Sequence, residues 1–171
     1  MAELKGTLIK RSDKVAYYGV KDGSTETFTR MQGFTSFGQS KNPVEYSRRY
    51  VDEAFEQTDV TGYSTSIGFN FDQYKGNAVH DDLAQMCDNE VIGTDAVRNI
   101  VLVDFSKPIG GATGSYSAIK RAFAVIYDTD GDSTDAYTYS GNFKTKGSSI
   151  AGTAVVSADE LTIEFTPDTE E

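Results

Sequence analysis

The sequence predicts a mainly β fold, a β-sandwich or barrel with one flanking α-helix at about residues 78–90. Three observations support this prediction. Apolar residues recur at every second position in several runs, which is the pattern of strands with one buried face. An Asp- and Gly-rich segment separates two such runs, as in a hairpin. A single segment instead repeats its apolar residues at helical spacing.

Strand-like runs follow one another along most of the chain beyond residue 26. The alternation is clearest at 63–71, where Tyr63, Ile67 and Phe69 share one face and small or polar residues take the other. The run at 97–105 is apolar on both faces at its middle, which favours a central strand. The predicted strands are 27–37, 44–52, 63–71, 97–105, 116–128, 136–146, 150–156 and 160–166, the last two forming a pair.

One segment has the helical period. Asn77 is a favourable N-cap, acidic residues occupy the first turns, and Gly93 lies just beyond the end. The apolar stripe consists of Val79, Leu83, Met86 and Cys87. We therefore expect one helix against an edge of the β-sandwich.

The length of 171 residues suits one domain. We expect residues 27–166 to form a single β-sandwich, residues 1–26 an amino-terminal arm or weak strand, and residues 167–171 an acidic flexible tail. No run approaches the roughly 20 apolar residues of a membrane helix, so no membrane partner is expected. The single cysteine, Cys87, fits a chain made in a reducing cytoplasm.

Charge is unevenly distributed along the chain. There are 16 Lys and Arg against 26 Asp and Glu, a formal net charge of −10. Residues 1–60 balance nine basic against nine acidic groups, whereas residues 61–171 carry seven basic and seventeen acidic ones. Such a chain is a poor candidate for binding nucleic acid, because phosphate contacts need Lys and Arg. The imbalance fits either a solubilising surface or faces with different surroundings.

Few residues are suited to catalysis. A single histidine, His80, excludes an HExxH zinc site, and neither a GxSxG elbow nor a phosphate-binding glycine loop occurs. We interpret His80 as a helix-surface residue and Cys87 as a small buried apolar group. The sequence therefore predicts a protein that is not an enzyme and uses no cofactor.

Four aspartates surround Gly131 in the segment DTDGDSTD. They are Asp128, Asp130, Asp132 and Asp135. Alternating carboxylates supply the oxygens that Ca²⁺ prefers, but the EF-hand spacing is not met, because Gly131 is fourth and Tyr139 twelfth from Asp128. We interpret the segment as a polar hairpin turn, with a weak calcium site as the alternative.

Three segments stand out together: KNPVEYSRRYVDEAFEQTDVTGYS at 41–64, TDAVRNIVLVDF at 94–105 and AIKRAFAVIYDTDGDSTDAYTYSGNFKTKG at 118–147. In their joint order they resemble the tail-tube, or major tail, proteins of long-tailed phages and prophages of Gram-positive bacteria. The resemblance extends over roughly residues 27–166.

The resemblance implies a structural virion protein. Its subunits would form hexameric rings that share a continuous inner barrel and stack into a hollow tube, assembled in the bacterial cytoplasm. The expected partners are further copies of the chain, a tape-measure protein and a tail-terminator protein. DNA would pass through an acidic lumen without specific binding, since like charge repels the duplex. Candidate lumen-facing acids are Asp104, Asp128 and Glu164.

Residues 1–60, in which basic and acidic groups are equal in number, are a candidate region for contacts with other subunits. Residues 45–52 interleave tyrosines with charges of both signs, and Tyr and Arg are favoured at interface hot spots. The candidate interface residues are Glu45, Tyr46, Arg48, Arg49, Tyr50 and Asp52. An ordinary exposed strand with cross-strand ion pairs is the simpler alternative.

Two other functions remain open at this point. One is a calcium-dependent β-sandwich module for binding or adhesion, which would need the Asp-rich segment to hold metal. The other is a different virion β-sandwich, such as a tail-terminator or decoration protein.

Overall fold

A computed structural model of the chain describes residues 4–169. It confirms the mainly β fold with a single α-helix in that range. The first three residues of the expected arm and the last two of the expected acidic tail lie outside the described residues. The strands are β1 (Lys14–Asp22), β2 (Thr25–Arg30), β3 (Phe34–Ser40), β4 (Pro43–Arg48), β5 (Gln57–Tyr63), β6 (Ser66–Asp72), β7 (Val97–Pro108), β8 (Ser115–Asp130), β9 (Thr138–Thr145), β10 (Ile150–Val156) and β11 (Thr162–Pro167), and the helix is α1 (Ala78–Asp88).

Six antiparallel strands close into a barrel. Their order is β10-β11-β2-β1-β7-β8, and β10 pairs with β8 to complete the circle. This closure removes the unpaired edges that an open sheet would expose. Apolar side chains from all six strands fill the interior of the barrel. The buried residues of this core are Val15, Tyr17, Phe28, Val101, Val103, Ala118, Ala154 and Ile163.

The segment expected to be an amino-terminal arm or weak strand contains strand β1, Lys14–Asp22. Strand β1 lies between β2 and β7 in the barrel wall, and Tyr17 and Tyr18 are fully buried on its two faces. Five consecutive residues of this strand, from Val15, are buried. A strand covered on both faces lacks the polar alternation by which strands are recognised, so its sequence gives a weak signal.

Strand β8 joins the barrel to a second sheet. One edge pairs with β7, while the other pairs first with β10 along residues 115–120 and then with β9 along residues 123–130. Strands β9, β6 and β3 follow outward from there. The predicted hairpin between the long runs is confirmed, as is the pairing of β10 with β11.

The second core lies between this sheet, the outer barrel wall and α1. Phe69, Phe71 and Phe143 pack together there, with the rings of Phe69 and Phe143 4.5 Å apart. The predicted N-cap is confirmed, because the Asn77 side chain accepts from the backbone N–H groups of Val79 and His80. Among the described residues, no helix is long and apolar enough to span a membrane.

The interpretation of His80 as a helix-surface residue is wrong. Its side chain is fully buried and stacks on Phe71 with a centroid distance of 4.7 Å. The ring Nδ1 accepts the Tyr74 N–H at 3.0 Å, so Nε2 carries the proton and donates to the Gln32 carbonyl at 2.7 Å. Both ring nitrogens are therefore occupied in holding two loops against the helix.

Two predicted strands are divided differently in the structure. The run at 27–37 spans β2 and β3, which are separated by a turn through Gly33 at φ +73°. The run at 44–52 ends at Arg48, and the chain returns as β5, which was not predicted. Exposed hairpin strands need no buried face, so hydrophobic period does not mark their limits.

Candidate assembly surfaces

Strands β4 and β5 form a two-stranded hairpin that stands apart from the main sheet. Two Asn42 bonds hold its base: the side-chain amide donates to the Ser64 carbonyl, and the Ser64 N–H donates to the Asn42 carbonyl, both at 3.0 Å. Along the hairpin, Ser47 and Thr58 share a hydroxyl hydrogen bond of 2.8 Å. A lone hairpin is marginally stable in water, so this one gains from a surface to pack against.

The predicted interface residues all lie on this hairpin. Glu45, Tyr46 and Arg48 are on β4, whereas Arg49, Tyr50 and Asp52 lie in the segment leading to β5; all six are exposed. Exposed apolar side chains that the prediction missed accompany them, including Phe55 at 84% exposure. Contiguous apolar exposure of this kind marks a contact surface. The missed residues are Val44, Val51, Phe55, Val60 and Tyr63.

Strands β3, β6 and β9 and residues 123–130 of β8 form a four-stranded antiparallel sheet, here called the polar sheet. Its inner face is the aromatic core described above. Its outer face, the polar face, carries small and uncharged polar groups with few charges. The residues of the polar face include Ser36, Gly38, Ser66, Gly68, Asn70, Thr138, Ser140 and Asn142.

Both lateral edges of the polar sheet lack a strand partner among the described residues. On one side, β3 pairs only with β6, and the Phe37 carbonyl on its outer edge receives just a long 3.4 Å contact from Arg11. On the other side, the pairing of β8 with β7 ends at Val97 and Ala124, so residues 126–130 are unpaired on that edge. Ile92, which is 83% exposed, lies beside a cavity bordered by this second edge.

The three candidate lumen acids are not brought together. Asp128 is the unpaired residue of a bulge in β8, next to Thr129, which lies opposite Ser140 at the margin of the polar face. Asp104 lies on β7, 3.7 Å from Lys14, and a hydrogen bond from Ser106, aided by Lys14 and Lys107, lowers the pKa of its carboxyl group. Glu164 is exposed on β11, on the far side of the barrel.

The Asp-rich segment forms the turn between β8 and β9, as predicted. Gly131 adopts φ +72°, and the Tyr137 hydroxyl donates to the Asp130 carboxylate, which fixes the turn's shape. In the described part of the chain, no three His, Cys, Asp or Glu side chains cluster in a way that could hold a metal ion. The four carboxylates therefore do not converge on one point.

Comparisons with known proteins give little beyond this geometry. No protein-family model matches the chain, and no curated protein matches it. Among solved structures, the chain is similar to a component of the anti-feeding prophage baseplate, seen by cryo-EM with six-fold symmetrisation. The TM-score is 0.46 at 6% identity, over 88% of this chain and 97% of that one. A likeness this distant supports no argument about function.

Proposed function

We propose that the chain is the structural subunit of a phage-type tail tube, in which copies join edge to edge into a closed ring around a channel. The observation that carries the proposal is the pair of unpaired edges on opposite sides of the polar sheet. Unpaired edges are templates for strand addition by another chain. A chain with both edges free on one sheet can therefore pair with two neighbours at once.

The strand directions suit such a ring. The four strands of the polar sheet alternate in direction, so β3 and β8 run antiparallel to one another. When copies are related by rotation, β3 of one copy meets β8 of the next in antiparallel orientation. Head-to-tail contacts of this kind close into rings.

The resemblance to tail-tube proteins supports a ring of six. Six copies would contribute about 24 strands, which at about 4.8 Å spacing enclose a channel about 37 Å across before strand tilt widens it. That width admits double-stranded DNA. The inner, aromatic face of the polar sheet already packs against α1 and the barrel. The polar face is therefore the face left to line the channel.

The polar face has the chemistry that a DNA conduit needs. Several lysines or arginines there would bind phosphates and retain the duplex, but most residues of this face are Ser, Gly, Thr and Asn, and β3, β6 and β9 contribute one basic side chain to it, Lys144 opposite Ser66. Asp128 remains our candidate for a lumen-facing acid, with Asp72 added because it shares the outward positions of β6. Asp104 and Glu164 lie outside this face and are assigned to other surfaces.

The exposed hairpin β4–β5 would make the remaining subunit contacts. It extends from the end of the polar sheet formed by Ser40 and Ser66, and its apolar side chains have no cover in the described residues. A tape-measure protein inside the tube and a terminator at its end complete the expected partners in the virion.

Substitution of one edge residue tests the edge pairing. The Thr145 N–H bonds the Thr65 carbonyl, so odd-numbered residues of β6 bond β9 and even-numbered ones bond β3. Ile67 is one of the odd-numbered residues that bond β9. Gln39, which lies opposite Ile67 in β3, therefore makes no backbone hydrogen bond to β6, and its N–H points to the open edge. Gln39→Pro should therefore leave the monomer folded while blocking a neighbour, and Gln39→Thr is the matched control.

Negative-stain microscopy and sedimentation velocity provide the readout. We expect rings or tubes from the wild type and Gln39→Thr, and monomers with an unchanged circular dichroism spectrum from Gln39→Pro. Normal rings from Gln39→Pro would refute the edge pairing. A wild type that stays monomeric up to its solubility limit would refute the tube function.

A further inference from the structure

The loop that follows helix α1 presents an exposed isoleucine in a fixed position. Its residues, 89–96, are here called the Ile92 loop. The Val91 N–H donates to the Met86 carbonyl at 3.1 Å, and a second bond from the Glu90 N–H completes the Schellman motif that ends the helix. Glu90 takes the left-handed conformation that this motif requires, at φ +48°. Val91 packs against the aromatic core, whereas Ile92 beside it is 83% exposed.

The Ile92 loop is acidic and lies beside the free edge of β8. Ile92 borders a cavity of about 640 Å³ together with residues 124–127 of β8. Glu90 and Asp130 border the same cavity, and Asp95 follows Ile92 by three positions. These three carboxylates are exposed and make no ion pair with the described part of the chain. The loop therefore offers an apolar side chain with unpaired negative charge around it.

A cleft of opposite character lies behind the free edge of β3. Its walls come from β3, β7, β8 and the segment before β1, and its volume is about 820 Å³. Phe37, Leu102 and Ile119 form its apolar part, and Ile119 is 49% exposed. Among residues 4–169, Lys14 is the only basic residue of the cleft that forms an ion pair with a carboxylate. The basic residues of the cleft are Lys10, Arg11, Lys14, Lys41 and Lys107.

The Ile92 loop and the cleft lie on the same side of the polar sheet and at the same level. Phe37 at the cleft and Tyr127 at the loop both pack against the aromatic core, so both features are on the core side of their edges. Phe37 and Tyr127 also end one cross-strand row, whose inner members are Phe69 and Gly141. In a closed ring such rows continue from copy to copy, apart from the stagger that strand tilt introduces. The loop of one copy therefore faces the cleft of the next.

We infer that Ile92 of one copy enters the cleft of the neighbour whose β3 edge pairs with its own β8 edge. Ile92 would contact Leu102 and Ile119, with the acidic groups of the loop against the basic groups of the cleft. Complementary charges of this kind select the partner and its orientation. A second copy is favoured over nucleic acid as the occupant, because the net charge of −10 would repel a long polyanion.

This inference rests on the proposed function, since the edge pairing brings the loop to the cleft. It adds the side chains that make the pairing specific. Backbone hydrogen bonds between strand edges carry little sequence preference, so an exposed edge accepts many partners. An apolar side chain that must fit a charged cleft rejects chains that lack it. The Ile92 loop would thus restrict each ring to copies of this chain.

A disulfide between copies tests the contact. Ile92→Cys with Ile119→Cys, in a chain whose Cys87 is replaced by Ser, carries one thiol on the loop and one in the cleft. About five strand residues, roughly 17 Å, separate Ile119 from the part of β8 that borders Ile92, so the two thiols cannot bond within one molecule. Val155→Cys in place of Ile119→Cys is the matched control, since Val155 is 44% exposed and lies outside the cleft. Oxidation should give at least tenfold more covalent oligomer than in this control, seen as a ladder on a non-reducing gel.

Charge reversal tests the selection of the partner. Glu90→Lys with Asp95→Lys makes the loop basic, and Lys41→Glu with Lys107→Glu makes the cleft more acidic. Each double variant alone should form rings at least tenfold less readily than the wild type at about 50 mM NaCl, where exposed charges are weakly screened. Mixing the two should restore rings, because each loop then meets a cleft of opposite charge. Lys41→Arg with Lys107→Arg keeps the charge and should assemble normally.

Negative-stain microscopy beside the gel separates the inference from the proposed function. Wild-type rings without a ladder above the Val155→Cys control, or no recovery on mixing, would overturn the inference and leave the edge pairing intact. A wild type without rings, together with no covalent oligomer, would overturn both. Covalent dimers above the control without visible rings would support the contact and contradict the proposed function.

Discussion

Arg98 and Asp82 form an ion pair that ties helix α1 to the barrel wall. The Arg98 Nε donates to Asp82 Oδ2 at 2.9 Å, with the two side chains 8% and 13% exposed. The Tyr18 hydroxyl donates to the same carboxylate oxygen at 2.6 Å. Burial, together with the charge of Asp82, raises the pKa of Tyr18, so its hydroxyl stays protonated as a donor. Strands β1 and β7 are thus joined to the helix through one carboxylate.

Removing the Asp82 carboxylate should lower the stability of the fold. Asp82→Ala leaves the Arg98 guanidinium covered and unpaired, and we expect it to lower the free energy of unfolding by about 3–5 kcal/mol. Urea denaturation followed by circular dichroism measures the loss. Asp81→Ala, on the exposed side of the same helix, should cost less than about 1 kcal/mol. Equal losses in the two variants would contradict the role of the ion pair.

His80 should make stability depend on pH. Burial lowers the pKa of His80 from its ordinary value of 6.5, so the unfolded chain binds the proton more readily than the folded one. Its contribution is present above about pH 6.5 and is lost as the pH falls below that value. We expect His80→Gln to be less stable at pH 7.5 and to show a flatter stability profile between about pH 7.5 and 5.5. An unchanged slope in that window would count against the buried neutral imidazole.

Gly141 is required by a close backbone approach. A Cβ at this position would lie 2.2 Å from the Ile126 carbonyl oxygen and 3.0 Å from the Phe69 ring. Gly141→Ala should therefore destabilise the fold by about 1–3 kcal/mol. Gly68 on the neighbouring strand meets only the Asn142 side chain at 3.6 Å, so Gly68→Ala should be tolerated. The midpoint of thermal unfolding should fall for Gly141→Ala and stay close to the wild-type value for Gly68→Ala.

The hairpin β4–β5 should be dispensable for folding and needed for assembly. It packs on little of the main sheet, so replacing residues 44–62 with a short Gly-Asn-Gly turn should shift the midpoint of thermal unfolding by only a few degrees. The same change should abolish ring or tube formation, since it removes the exposed aromatic surface. Arg49→Glu changes a single side chain of the hairpin and should weaken ring or tube formation. Full assembly by the shortened chain would exclude the hairpin from subunit contacts.

A basic residue on the polar face should change how the assembly treats DNA. Lys144 lies opposite Ser66 on the polar face, so the wild type already carries one lysine per subunit there, and Ser140→Lys adds a second. Because clustered lysines bind phosphates, we expect more salt-dependent retention of DNA by Ser140→Lys assemblies than by wild-type assemblies, measured by co-sedimentation at about 50 mM NaCl. Lys144→Ser is the control and should retain less DNA than the wild type. Equal retention by all three proteins would argue against the polar face as the channel wall.

The sequence predicts the half-buried elements best. Phe69 and Phe143 alternate with small polar residues, so the strands of the polar sheet and their hairpin follow directly from the hydrophobic period. The capped helix after Asn77 is likewise a local signal. Strand β1 was expected only as a possible weak strand, because side chains buried on both faces show no polar alternation.

The candidate surfaces depend on features that no local pattern encodes. The second sheet, which ends in the open edge of β3, begins where β8 changes its partner from β10 to β9, and this long-range pairing has no local sequence signal. Lys41 and Lys107 lie 66 positions apart in the chain yet border one cleft. Tyr46 and Tyr50 of the hairpin are exposed, and the interface role predicted for them from their mixed charged and aromatic neighbours stays a prediction.

High-resolution cryo-EM of the assembled wild-type protein tests the central claim most directly. The account predicts a continuous inner sheet in which β3 of each subunit pairs antiparallel with residues 126–130 of its neighbour's β8, and the Ser140 face lines the channel. A ring whose subunits meet through other surfaces, or one in which the polar face points outward, would contradict it.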